Sequence, residues 1–111
     1  MKPLVIMVAG PYSAPTPEAR AANLRRMNEA AAELAQRGHI PVIGVNAALP
    51  VLEAAGLPYT DALMMTISLA LAARCDACLR IAHSPGADRE TDVIKGMGRP
   101  VYERLEDVPA Q

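Results

Sequence analysis

Leu4-Val5-Ile6-Met7-Val8-Ala9 is an unbroken apolar run, closed by Gly10-Pro11-Tyr12-Ser13. A strand that is apolar at every position has no solvent face, so it belongs inside a parallel sheet covered on both sides. A helix start follows, with Thr16 as N-cap, Pro17 at the first helical position and Glu18 in the first turn. Leu24, Met27, Ala31 and Leu34 recur at helical spacing, and Gly38 is placed to stop the helix.

Working outward, residues 40–45 (IPVIGV) read as a second strand. Residues 46–59 contain Pro50, Gly56 and Pro58 and read as loop with room for one short helix. Thr60-Asp61 is a second N-cap signal before a helix over 62–73. Residues 76–82 read as a third strand, 83–86 as a loop, 87–97 as a helix stopped near Gly98, and 100–102 as a short last strand. This alternation, with right-handed crossovers, predicts an α/β fold. The expectation is a single-domain flavodoxin- or Rossmann-like three-layer sandwich over 1–111, with a four- or five-stranded parallel sheet in the order 2-1-3-4.

Composition narrows the function classes. The chain has 111 residues, with 51% hydrophobic and 21% charged, which is globular rather than disordered. A formal net charge of −1 argues against nucleic-acid binding. No apolar run is long enough to span a bilayer and no signal peptide is evident, so a cytoplasmic protein without membrane contact is expected. With no Phe, no Trp and 21 Ala the core is thin, so an apolar face is expected to be buried in a homo-oligomer. Aromatic stacking on a ligand has three candidates: Tyr12, Tyr59 and Tyr102. Cys75 and Cys78 lack a second ligand pair, which argues against zinc. Read as residues three apart on a strand, they point to opposite faces and are buried thiols rather than a redox pair.

In such sheets ligands sit at the carboxyl ends of the strands, near the switch in strand order. That crevice is framed by the loops after strands 1 and 3. In the first, Gly10 lets backbone approach a ligand, amides at the helix start suit an anion, and Tyr12 offers a ring face and a hydroxyl. In the second, Ser84-Pro85-Gly86-Ala87-Asp88-Arg89-Glu90 leads into a helix. Glu90 is expected in its first turn, where the helix dipole favours the ionised carboxylate that a nucleophile needs. The same residues also read plainly as a turn, with Ser84 or Asp88 as a cap; Arg20 and Arg89 read as anion contacts or, as is commoner, as solvated charges. Asn46 and His83 lie near the crevice. Met64 and Met65 read as core or interface.

Three features occur in order: Val8-Ala9-Gly10-Pro11-Tyr12, Arg74-Cys75-Asp76-Ala77-Cys78, and Ser84-x-Gly86-Ala87-x-x-Glu90 followed by Gly96-x-Gly98-Arg99-Pro100-Val101. Together they resemble the nucleoside 2-deoxyribosyltransferase-like superfamily, from about Leu4 to Tyr102. The resemblance implies Glu90 as the nucleophile and Tyr12 as the residue that orients it. The transferases of that family carry an Asp six residues before the Glu, whereas the 5′-monophosphate N-glycosidases carry a phosphate-binding Ser, as Ser84 here. A hydroxyl donates to a phosphate that a carboxylate would repel. Gly10, Pro11, Ser13, Arg20, Gly86, Ala87 and Asp88 are the further substrate-binding candidates, and Asp88 is the candidate proton donor.

One position departs from the family pattern. An Asp is usual eight residues before Asp76, and this chain has Ser68 there; Asp61 and Asp92 are possible substitutes. The resemblance thus implies an N-glycosidic bond hydrolase or (deoxy)ribosyltransferase acting on nucleoside 5′-monophosphates or nucleosides, with no metal or cofactor. The alternative is a non-catalytic nucleotide-binding or regulatory module of the same fold, which Ser68 favours.

Overall fold

The computed structural model describes residues 2–110, and of Asp61 the backbone alone. Among these residues four parallel strands, β1 (Val5–Ala9), β2 (Ile40–Val42), β3 (Ala77–Arg80) and β4 (Val101–Tyr102), lie in the order β2-β1-β3-β4. Val5 pairs with Ile40, Ile6 with Ala77 and Cys78 with Val101. The helices are α1 (Pro17–Gln36), α2 (Gly44–Ala54), α3 (Asp61–Ala72) and α4 (Pro85–Gly96), and a single 3-10 turn follows at Leu105–Asp107.

The layers follow from the alternation of side chains along a strand. Ile6 and Val8 of β1 and Leu79 of β3 pack with Met27 and Leu34 of α1. Met7 and Ala9 point the other way, with Cys78, onto Ala72 of α3 and Ala87 and Ile94 of α4. Ile6 to Ala9 are each at most 1% exposed, as a continuous apolar run requires. A third, smaller cluster joins Ala48 and Leu52 of α2 to Met64 of α3. The result is the expected three-layer α/β sandwich.

The helix signals act as read. Thr16 Oγ1 accepts from Ala19 N and Thr60 Oγ1 from Leu63 N, each as an N-cap. Gly38 and Gly98 end their helices at φ values of 90° and 72°, which side chains disfavour. His39, two residues past the C-cap of α1, is buried; its backbone N–H donates to Leu34 O at 3.1 Å and its Nδ1 accepts from Leu4 N at 3.1 Å.

Two readings need correction. The second strand stops at Val42, Ile43 becomes an N-cap, and α2 runs through the segment read as loop. Pro50 inside α2 is exposed, and the helix is held by burial of Ala48 and Leu52 against α3. The cysteines are free and buried, but Cys75 precedes β3 and packs in the same cluster as Cys78 rather than on the opposite face. Its Sγ donates to Leu71 O at the end of α3. Burial pushes the two thiols up to about 11 and about 12, which keeps them inert.

Candidate active site

Because β1 and β3 are neighbours, the loops that follow them open side by side at the carboxyl edge of the sheet. Between them lies a cleft of about 260 Å³. One wall holds Gly10, Pro11, Tyr12 and Ser13; the other holds Ser84, Gly86, Ala87 and Glu90. Eight of the ten residues singled out from the sequence are thus brought together. Arg20 and Asp88 are not among the cleft residues. Arg20 Nη1 donates to Ala14 O at 2.8 Å and so braces the loop after β1 from behind. Asp88 Oδ1 accepts from Arg80 Nη1 at 3.0 Å and lies 2.9 Å from His83 Nδ1, an arrangement that commits its carboxylate away from the cleft.

Gly10 is required by packing as well as by approach to a ligand. A Cβ there would stand 2.8 Å from Ile81 Cγ1, just beyond β3. Ser84 is the N-cap of α4, its Oγ accepting from Ala87 N at 3.0 Å. With the oxygen so engaged, the hydroxyl proton remains to donate into the cleft.

Glu90 differs most from expectation. Pro85 begins α4 earlier than the sequence reading, so Glu90 falls in the second turn, past the reach of the helix N-terminus. It is 7% exposed, and it has no hydrogen-bond or ion-pair partner among the described residues. Burial therefore governs it, pushing the carboxyl from the usual 4.5 up to about 8. The dipole-stabilised carboxylate expected from sequence is instead an acid that is mostly protonated at neutral pH.

Gly44, the first residue of α2, closes over this carboxyl. A Cβ at Gly44 would overlap Ser68 Oγ, approach Ser68 Cβ to 2.8 Å and lie 3.0 Å from Glu90 Oε2. Ser68, where the family pattern has Asp, is therefore beside the candidate nucleophile, buried and facing the same cleft. Asp92 is exposed and is not among the cleft residues. The side chain of Asp61, the other possible substitute, lies outside the described residues.

Tyr59, Met64 and Met65 complete the apolar side of the cleft. Tyr59 is edge-on to Tyr12, with ring centroids 5.9 Å apart, and its hydroxyl lies 2.8 Å from Ser13 Oγ. The segment between α2 and α3 is thereby tied to the loop after β1. Tyr59 was legible only as one of three tyrosines, since its position depends on α2. Among the described residues no hydrogen bond joins Tyr12 to Glu90; both line the one cleft. Tyr102 packs on the α1 side of the sheet instead. Asn46 donates to Asn28 Oδ1 and is not among the cleft residues.

Behind the cleft, Arg80 at the end of β3 is 8% exposed and holds Asp88, Glu103 and Thr91. The hydrogen bond from Arg80 keeps Glu103 below the usual carboxylate range. Among the described residues no cluster of three or more His, Cys, Asp or Glu is arranged to hold a metal, and no helix is long and apolar enough to cross a membrane. No protein-family model matches the chain, and no curated protein matches it significantly.

Proposed function

We propose that this chain cleaves the N-glycosidic bond of nucleoside 5′-monophosphates or nucleosides, as a hydrolase or as a (deoxy)ribosyltransferase, with Glu90 as nucleophile. The supporting observation is the unpartnered, buried Glu90 carboxyl in a cleft that also holds Tyr12 and Ser84. A lone buried carboxyl is costly to keep, and it gains most from a cationic partner. The oxocarbenium-like transition state of glycoside cleavage is such a partner.

In this reading a Glu90 oxygen bonds to the anomeric carbon while the carbon–nitrogen bond breaks. The electron pair leaves with the base, which takes a proton from solvent. Water then attacks the anomeric carbon and restores the carboxylate; in transfer, a second base takes the place of water. Glu90 must be ionised to attack. A group titrating at about 8 is ionised in roughly one molecule in ten at pH 7. Tyr12 and Tyr59 would border the sugar and base, and Ser84 would donate to the 5′ end. No metal or organic cofactor enters the scheme.

The protein is further proposed to act in the cytoplasm as a homo-oligomer. Val51 and Leu57, on and after α2, are 58% and 49% exposed, and a second copy would cover them. A second functional reading, a nucleotide-binding module without turnover, is favoured by Ser68 in place of an acid and by a nucleophile that rests protonated. The test is incubation with a panel of nucleosides and their 5′-monophosphates, followed by detection of free base. The enzyme reading expects base from wild type and at least about a hundredfold less from Glu90→Gln. Tight nucleotide binding with no base released at high protein concentration would favour the module instead.

A further inference from the structure

We propose that Arg89 is the residue that selects substrates carrying a 5′-phosphate over the same nucleosides without one. This deepens the nucleotide-handling reading above and rests on it. The cleft has one cationic side chain among its described lining residues, and it is Arg89. Arg20 is committed to Ala14 O, and Arg80 to Asp88 and Glu103. Arg89 is exposed and has no hydrogen-bond or ion-pair partner among the described residues. Its guanidinium carries five donors and no internal contact that a ligand must first break.

The order of groups along α4 gives the site a direction. Gly86, Arg89 and Glu90 fall on one helix face, since residues three and four apart are neighbours. Glu90 is buried and Arg89 is exposed, so the cation stands outward of the carboxyl on that face. Gly86 brings no side chain to the turn before Arg89, and Ser84 caps that turn with a proton free to donate. A ligand whose anomeric carbon is at Glu90 would therefore carry its negative end toward Arg89 and Ser84. A phosphate monoester suits this pairing, because a guanidinium can bind two of its oxygens at once. In the ionised form that attacks, Glu90 would repel a phosphate beside it, which further assigns the phosphate to the outer end.

The experiment is equilibrium binding by calorimetry, using adenosine, guanosine, cytidine and uridine with their 5′-monophosphates, on wild type, Arg89→Gln and Arg89→Lys. Arg89 is exposed, so the variants are expected to keep the wild-type circular dichroism. For at least one base, wild type binds the monophosphate more tightly than the nucleoside. Arg89→Gln then weakens the monophosphate about tenfold or more while the nucleoside stays within about twofold, and Arg89→Lys recovers part of the loss. The wild-type preference also shrinks with added salt, and that dependence is reduced in Arg89→Gln. Equal losses for both ligand types, no loss for either, or a panel in which no monophosphate binds would overturn the proposal. Because the readout is binding, the two readings fail separately. Arg89-dependent binding without base release removes the glycosidase and keeps the phosphate selector; base release from monophosphates that is indifferent to Arg89 does the reverse.

Discussion

Replacing Glu90 with Gln is expected to stabilise the fold, by an amount that grows with pH. Between about pH 5 and pH 8 the unfolded chain has this carboxyl ionised, while the folded chain, with the group raised from 4.5 to about 8, keeps it protonated. Folding then takes up a proton, so stability falls as pH rises through that window. At about 1.36 kcal/mol per pH unit the cost is small near pH 5 and reaches about 3 kcal/mol at pH 7. Glutamine has the shape of the protonated acid and does not titrate. Urea unfolding followed by circular dichroism at pH 5, 6, 7 and 8, under reducing conditions, reads the difference. The two proteins should be nearly equal at pH 5 and diverge steadily above it, with a melting-temperature gap on the order of 10 °C at pH 7. Curves that stay parallel across this range, or a wild type that gains on the variant as pH rises, would refute the burial argument.

Gly44→Ala should destabilise by about 1–3 kcal/mol, because its Cβ would press on Ser68, and Ser68→Gly should recover much of that loss in the double variant; chemical denaturation checks both. In the proposed enzyme, kcat/KM should rise about tenfold per pH unit below pH 8 and level off above it, since the ionised carboxylate attacks; a rate that falls over the same range would make the protonated acid the active form. Light scattering should report a dimer or larger assembly, and Val51→Lys should weaken it, because Val51 is 58% exposed on an apolar helix; a monomeric wild type would remove the proposed contact.

Much of the fold was legible because its strand and helix-start signals are local. The continuous apolar run 4–9 demanded a central strand, and the caps at Thr16 and Thr60 placed two helix starts. The stretch 43–54 misled because Gly44 and Pro50 are breakers by local propensity. Its helix depends on Ala48 and Leu52 meeting Met64, a contact between segments that no local rule contains. The same gap explains the site. Residues in or just after the loops that follow β1 and β3, such as Tyr12, Ser84 and Glu90, follow from topology, since every loop after a strand opens at one edge of the sheet. Tyr59 follows only from α2 and α3 being packed as they are. The protonation of Glu90 was read in the wrong direction because the dipole is visible in sequence while burial is not, and here burial outweighs the dipole.

A crystal structure of Glu90→Gln with a nucleoside 5′-monophosphate bound, turnover being blocked, would test the role of residue 90 most directly. The account predicts a residue 90 side-chain oxygen or nitrogen roughly 3–3.5 Å from the anomeric carbon, aligned opposite the bond to the base. A nucleotide seated in the cleft with that carbon turned away from residue 90, and the side chain against the base or phosphate instead, would contradict it.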